Sequence, residues 1–583
     1  MIRKLLIANR GEIALRIMRS AKAMGLGTVA VSSPADARAL HVEVADEAVA
    51  VGSYLDIAAM LGAAKRSGAD AIHPGYGFLS ENPDFADAVA RAGLTFVGPP
   101  ASAMRAMGLK GEAKRLMRKA GVPVVPGYDG ADQSDARLAA EARAIGFSLL
   151  VKPVAGGGGR GMRIVTAEAE FGSALAAARR EATASFGDGR VLLEKHLSPV
   201  RHVEVQVMAD LHGNVAHLWE RDCSAQRRHQ KVIEEAPAPG LSQGLRQAMC
   251  GAAVKAARQV GYVGAGTVEF LVAEGGDAFF FIEMNTRLQV EHPVTEMITG
   301  LDLVEMQLRI AGGERISEAE APVTGHAVEV RLYAEDPRHG FLPQTGRITA
   351  LQVPGFVRFD TGVRAGDVVS AHYDAMIGKL IAHAPTRAEA LAKLSAALEA
   401  ARVGGLATNL GFLGRLVKHA DFAAGRLDTG LIDRALPELT EWREPPAIVR
   451  AASRGFRLWE RFRIHRKVLP DVWLEEDGHV HHLRLYEDEA VFEGERYAIA
   501  PDKPVRSGPE QNGSRLVSTP VPGFLARLMV ADGETVNTGD VVAIIEAMKT
   551  EFLLRAEAQG TIRFQIAEGT QVREGATVAE IDA

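Results

Sequence analysis

The chain has 583 residues, too many for one hydrophobic core; at ~100–200 residues per domain it should divide into three to five units. Hydrophobic residues make up 47% and charged residues 24%, which excludes a disordered or collagen-like chain. A net charge of -6 argues against a nucleic-acid coat or a membrane-surface protein, so any phosphate site must be a local concentration of positive charge. Two cysteines, Cys223 and Cys250, exclude a disulfide framework and point to a reducing compartment. The first apolar run is too short for a signal peptide, and no run approaches the ~18 residues of a membrane span. The expected location is the cytoplasm, without a membrane or nucleic-acid partner.

Residues 1–112 alternate short apolar strands (4–8, 28–32, 71–73 and 95–97) with helical patterns (13–24, 57–66 and 84–92). That alternation predicts a parallel, doubly wound α/β unit. A helix at 110–120 opens a second unit, 113–315, which reads as strand-rich from 146 to 291. A third unit, 326–435, mixes strands with an Ala/Leu-rich helix at 387–402. Residues 440–500 carry short β-like pieces at 472–474, 480–485 and 490–492. Residues 501–520 are dense in Pro, Gly and Ser, a pattern that runs to Pro522 and reads as a linker.

The last unit, 521–583, contains an internal repeat. Gly533, Val536 and Gly539 recur 36 residues later as Gly569, Val572 and Gly575. Apolar runs at 524–530 and 541–545 flank one copy, and runs at 561–566 and 577–581 flank the other. Two such halves make a small flattened all-β sandwich or barrel. Between them lies Ala547-Met548-Lys549-Thr550, which displays Lys549 on a turn. The arrangement resembles the biotinyl/lipoyl carrier family, and Met548 before the lysine matches the biotin type. Thr550 stands where that family usually has a second Met.

Gly156–Gly161 formally satisfies G-x-G-x-x-G, but a dinucleotide fold needs a helix directly after it. Here apolar runs 149–152 and 162–165 flank the glycines, so the loop is predicted to be a hairpin tip that folds its backbone N–H groups over phosphates. This geometry resembles the ATP-grasp family.

Residues 281–291 read as one strand, in which Glu283, Asn285, Arg287, Gln289 and Glu291 share a face by period-2 alternation. Carboxylate and amide oxygens there suit Mg²⁺, and Arg and Gln can hold an oxyanion. Glu269, in the run 267–272, is the expected second carboxylate. Residues 221–231 pack Arg221, Arg227, Arg228, Lys231 and His229 into eleven positions, which suits an anionic substrate or a solvated loop.

Taken with Asn9–Ala14 and His73–Asn82, these motifs resemble biotin carboxylase over residues 1–440. With the carrier, the whole resembles the biotin-containing α subunit of an acyl-CoA carboxylase. The resemblance implies a fold: a doubly wound N-terminal α/β domain, an ATP-grasp domain, a mixed α+β C-terminal carboxylase domain and an all-β biotinyl carrier. It implies that ATP phosphorylates bicarbonate and that the carboxyl group passes to biotin on Lys549, with Mg²⁺ or Mn²⁺ as the metal. Lys110 and Lys152 are then assigned to ATP phosphates beneath Gly157, Gly158 and Gly159. Glu194, Lys195 and Leu197 are assigned to adenine, and His202, Gln226 and His229 to the ribose and phosphate region. Glu269, Glu283 and Asn285 become metal ligands. Arg287, Gln289 and Val290 seat bicarbonate, Glu291 is its base, and Lys231 lies beside it. Arg331 stabilises the biotin enolate, and Tyr76 meets the biotin ring.

Two departures from the family pattern are Ala155 for a lid glycine and Tyr333 for a frequent Asn. The implied partners are a separate carboxyltransferase subunit, docked through 440–500, a biotin protein ligase, and further copies in a homo-oligomer. A pyruvate carboxylase subunit and another ATP-grasp carboxylate–amine ligase are the alternatives; a lipoyl-type carrier explains only the C-terminal unit.

Overall fold

The structure is a computed structural model that describes residues 2–154, 162–228, 230–273, 275–276, 278–317, 321–441, 515–547, 550–573 and 575–582, with the backbone of four strands between 471 and 498. The N-terminal part holds a five-stranded sheet in which Lys4–Ile7 is central. Gly27–Ser32 and Glu47–Ala50 pair on one side and Ala71–His73 and Thr95–Phe96 on the other, all parallel. The strand order reverses at the first strand, which is the doubly wound topology the alternation predicts. Helix Gly11–Ala23 buries Ile13, Ala14, Ile17, Met18 and Ala21, spaced as one face of an α-helix. Helices Ile57–Ser67 and Pro83–Arg91 begin at Asp56 and Asn82, whose side chains accept the N–H groups of Ala59 and Phe85.

The stretch expected to be strand-rich also contains two long helices, Glu168–Phe186 and Gln243–Gln259. Both are alanine-rich, and the second buries Leu245, Met249, Cys250, Ala253, Ala256 and Ala257 at helical spacing. The strands divide between two sheets. A small sheet orders Gly127–Tyr128, Val191–Lys195, Leu149–Pro153 and Arg163–Val165. Leu149 pairs with Val165 in antiparallel register there, as the glycine-hairpin reading requires; residues 155–161 lie outside the described residues.

The large sheet has eight strands in the order Phe279–Asn285, Gly264–Ala273, Val200–Ala209, Val215–Arg227, Gln230–Ala236, His326–Tyr333, Met376–Ala384 and Arg358–Thr361. Through the pairing of Ile233 with Val330, it runs unbroken from the second sequence unit into the third. Helices Arg387–Ala400 and Leu410–Lys418 cover its far end around Leu394, Leu398, Phe412 and Leu413. Among the described residues no helix is long and apolar enough to cross a membrane.

Between 471 and 498 four antiparallel strands form a meander. Three match the β-like pieces in the sequence; the fourth, Glu495–Ala498, was not expected.

The C-terminal unit is two four-stranded sheets closed on Val517, Leu525, Ile545, Ile562, Val578 and Ile581. Its repeat is physical: Gly533, Gly539, Gly569 and Gly575 all have positive φ, between 75° and 94°, where a side chain would strain the turn. The Asp532 side chain accepts the Phe564 N–H, and Glu568 accepts the Leu528 N–H, the same bond 36 residues apart. Ala547 pairs with Thr550; Met548 and Lys549 between them lie outside the described residues.

A buried ion network joins the N-terminal helix to the large-sheet unit. Arg16 donates to Glu296 at 2.5 Å and to Asp302 at 2.8 Å, and Arg358 holds the other Glu296 oxygen at 2.8 Å. Removing one partner of a buried pair leaves charge uncompensated, so Arg16→Ala should cost about 3 kcal/mol, read as a lower urea midpoint. Arg16→Lys, which keeps the charge, should lose less.

Candidate active site

In strand Val200–Ala209, valines 203, 205 and 207 enter the core while His202, Glu204 and Gln206 take the other face. Register then builds a charged row across four strands: Arg221 opposes Glu204, Glu204 opposes Glu269, and Glu269 opposes Glu283. Arg221 is wholly buried and donates to Glu204, Gln206, Thr295 and Thr267. Lys231 closes the cluster from the next strand. Its ammonium donates to Glu204 at 2.6 Å, Glu269 at 2.9 Å and Glu291 at 2.6 Å, which satisfies all three of its N–H groups. Burial alone would lower the Lys231 pKa, but Glu204, Glu269 and Glu291 raise it well above the ordinary value. Burial would likewise raise Glu291; Lys231, Arg331 and Arg221 instead hold it well below the usual carboxylate range.

The strand predicted over 281–291 ends early. Alternation holds to Asn285, and the chain then leaves the sheet at Thr286. Glu81 catches that exit, accepting the Thr286 N–H at 3.0 Å and Arg287 Nε at 3.0 Å. Pro293 fits the first turn of helix His292–Thr299, and Glu291 immediately precedes that helix. Arg287, Gln289 and Glu291 therefore meet the row from a loop. Arg287 folds back onto Asn285 Oδ1 and Gln289 Oε1, each at 3.0 Å, and the Asn285 and Gln289 amides donate to Glu269 at 2.9 and 3.2 Å.

Arg331 reaches the same point from strand His326–Tyr333, beside Gln230–Ala236. Its Nη2 donates to Glu291 at 2.9 Å and its Nε to Glu234 at 2.6 Å. Directly opposite Arg331 stands Lys379, fully buried, which donates to the Val290 carbonyl at 2.7 Å and pairs with Glu12 at 3.2 Å. Glu12 in turn accepts the Tyr76 hydroxyl at 2.6 Å. His202 Nε2 lies 3.1 Å from Glu269, and Gln226 pairs in register with Lys231.

The small sheet carries the other assigned residues. Lys152 donates to Glu194 at 2.5 Å, and Lys114 also pairs with Glu194. Lys195 instead donates to the carbonyls of Gly146 and Phe147, at 3.1 and 3.2 Å, and Leu197 lies in the segment that follows. The side chain of Lys110, and Gly157, Gly158, Gly159, His229 and Lys549, lie outside the described residues.

Of the four cations in 221–231, only Lys231 joins three carboxylates at the site; Arg221 is a buried brace, and Arg227 stacks on Phe341 at 3.8 Å. Sequence reasoning gave no role to Glu204, Glu81, Glu234, Lys379 or Lys114. Glu204 had a signal, the polar alternation of 202, 204 and 206 between valines. Lys379 had a fainter one, a single cation inside the apolar run Met376–Ala384.

The register-opposed carboxylates of Glu269 and Glu283 with the nearby Asn285 amide fit a hard, oxygen-seeking cation such as Mg²⁺. The ligand atoms of His202, Glu204 and Glu269 also lie within 4.8 Å of one another.

Lys231→Met should leave three facing buried carboxylates and cost about 3–5 kcal/mol. Without the cation their folded-state pKa values rise above the unfolded ones, so the variant's stability is retained at low pH and lost as pH rises through the raised values. Denaturation midpoints from pH 5 to 8 should show the variant's deficit against wild type widening with pH.

Four family models match the chain: "Biotin carboxylase, N-terminal domain" over 1–104, "Carbamoyl-phosphate synthase L chain, ATP binding domain" over 110–319, "Biotin carboxylase C-terminal domain" over 329–434 and "Biotin-requiring enzyme" over 516–581. The propionyl-CoA carboxylase alpha chain of Ruegeria pomeroyi is 39% identical, with 96% of this chain and 97% of that one covered. The mitochondrial methylcrotonoyl-CoA carboxylase subunit alpha of Arabidopsis thaliana is 52% identical over 78% of this chain, which spans 64% of that relative's length. Among solved structures, the biotin carboxylase domain of Hydrogenobacter thermophilus 2-oxoglutarate carboxylase, in complex with MgADP, ADP and bicarbonate, matches with TM-score 0.72 at 43% identity, covering 76% of this chain and all of that one. The four domains in this order, with the near full-length relative, place the chain in the family of biotin-containing α subunits of acyl-CoA carboxylases.

Proposed function

We propose that this chain uses ATP to join bicarbonate to a biotin carried on Lys549, as the α subunit of an acyl-CoA carboxylase. The observation that carries this reading is the convergence of Glu291, Lys231, Arg331 and Arg287 on one buried point beside a carboxylate pair suited to a metal. Phosphoryl transfer is mostly positioning and charge neutralisation. Lys110, Lys114 and Lys152 supply cations near the nucleotide, Gly157–Gly159 close over its phosphates, and Glu194, Lys195 and Leu197 border the base. His202, Gln226 and His229 line the path to the phosphates. Glu269, Glu283 and Asn285 would hold Mg²⁺, which would supply charge neutralisation for the phosphate oxygens.

Bicarbonate sits on Arg287, Gln289 and the Val290 backbone. Glu291 takes its proton as the bicarbonate oxygen attacks the γ-phosphorus, giving carboxyphosphate and ADP. Both Glu291 oxygens are held by cations, so this step requires Lys231 or Arg331 to yield a hydrogen bond to the incoming anion. Arg331, anchored on Glu234, then offers a charge-assisted donor to the oxygen that gains negative charge on the acceptor. Biotin supplies the ring nitrogen that receives the carboxyl group, as the carboxyphosphate C–O bond breaks and the released phosphate takes the nitrogen's proton. Lys379 and Glu12 are positioning residues: the ammonium fixes the Val290 carbonyl, and the carboxylate fixes Tyr76 beside the acceptor.

The second half-reaction belongs to a separate carboxyltransferase subunit that takes the carboxyl group to an acyl-CoA, with the 440–500 region as its docking segment. A biotin protein ligase modifies Lys549, the α subunits associate with one another, and the compartment is the cytoplasm. Both cysteines, free and buried, fit a reducing one.

Wild type co-expressed with a biotin ligase should bind streptavidin and gain the mass of one biotin; Lys549→Arg should do neither. With free biotin, Glu291→Gln should lower bicarbonate-dependent ATP cleavage by roughly 10²-fold or more. An unbiotinylated wild type, or an unaltered Glu291→Gln rate, contradicts the reading. Lys379→Met should raise the bicarbonate KM about tenfold while the ATP KM stays within about twofold, a loss of about 1.4 kcal/mol in binding one substrate. Equal shifts in both would mark Lys379 as merely structural.

A further inference from the structure

Among the described residues, two contacts join the carrier unit to the carboxylase half. The Phe524 ring lies 5.9 Å from the His372 ring, centroid to centroid, tilted by 44°. Leu342 packs against the carrier's own apolar core. We propose that Leu342 and His372 form the docking patch that receives this chain's own carrier unit and aims Lys549 at Arg331. This rests on reading Lys549 as the carrier lysine.

Both sides of the contact lie where such aiming requires. On the carboxylase side, Leu342 opposes Asp336 in a short two-strand pairing, a few residues after Tyr333. The Tyr333 hydroxyl interacts with Arg331 and Gln230. His372 stands on the segment that continues through Tyr373 to Asp374. Tyr373 is fixed by the Arg10 guanidinium, 4.0 Å above its ring, and by a 2.5 Å hydrogen bond with the Ser33 hydroxyl. The Asp374 carboxylate acts electrostatically on both Tyr76 and Tyr333. Leu342 and His372 thus lie on two separate segments next to residues that act on Arg331 and Tyr76, the second of them braced through Tyr373.

On the carrier side, Phe524 opposes Glu546 in antiparallel register, one residue from the Ala547–Thr550 pair that brackets Lys549 in the sequence. A side chain at neighbouring Gly523 would come within 2.5 Å of the Glu546 carbonyl and 3.0 Å of Ala547 Cβ. The backbone of Gly523 therefore passes hard against this pair, so whatever holds Phe524 also sets where that end of the carrier points.

The contact is small, and its size suits the task. Two apolar side chains fall far below the roughly 1,200 Å² of a stable interface. A carrier that must leave for a second site needs a weak seat. Its covalent tether raises the local concentration to the order of millimolar, so weak affinity suffices. His372 is exposed and Leu342 and Phe524 are half-buried, so all three can be changed without opening a core.

The test uses the full-length, biotinylated chain. Leu342→Glu with His372→Glu places two acids opposite Phe524 and the exposed Glu546. The double variant should slow incorporation of labelled bicarbonate into its own carrier at least tenfold in a single turnover. In a Lys549→Arg background, where only free biotin can be carboxylated, the same substitutions should leave ATP cleavage within twofold. Unchanged carrier labelling, or an equal fall in the two reactions, overturns the patch; no free-biotin reaction without the substitutions overturns the proposed activity instead. Second, His372→Cys with Phe524→Cys adds the only thiols outside the core, since Cys223 and Cys250 are buried. A short bismaleimide should link them within one chain, without a rise in mass on a denaturing gel. No link, or links only between chains, contradicts docking of the chain's own carrier.

Discussion

One ammonium organises the catalytic half of this molecule. Lys231 binds Glu204, Glu269 and Glu291, which arrive from two neighbouring strands and a loop. Three carboxylates cannot share a buried volume without compensation. Arg221, within the row, and Arg331, beside it, supply the rest of that compensation. The geometry of the residues proposed to hold the metal and bicarbonate and to act as base follows from this balance, since each is held by its place in the charge network.

The large sheet makes the balance possible. Because strand Gln230–Ala236 pairs directly with His326–Tyr333, Lys231 and Arg331 sit on adjacent strands although 100 positions apart in sequence. The site is consequently fixed at its base by strand pairing. Phosphoryl transfer favours such a fixed electrostatic floor, because preorganised charges do the positioning.

Much of this was legible in the sequence, for identifiable reasons. The carrier's repeat was visible because its four turns need positive φ and so demand glycine at 533, 539, 569 and 575. The parallel sheet was visible because apolar strands alternate with helices. The strand over 281–291 was overextended because period-2 polarity continues into a loop; only Pro293 marked where the chain had to turn into a helix. The alanine-rich helices went unnoticed because alanine carries little amphipathic contrast. Glu234 and Lys379 were illegible for a deeper reason. Their roles come from strand pairings and ion pairs about 90–100 positions away, which no local pattern encodes.

The central claim is that ATP is spent in phosphorylating bicarbonate on the Lys231–Glu291 floor, before any carboxyl group reaches the acceptor. The most direct measurement supplies bicarbonate labelled in all its oxygens with ¹⁸O, in the presence of ATP and free biotin, and weighs the inorganic phosphate released. One labelled oxygen per phosphate is the predicted result, because the attacking bicarbonate oxygen remains on phosphorus when carboxyphosphate breaks down. Phosphate without label would mean that water, not bicarbonate, attacks the nucleotide, and would contradict the account.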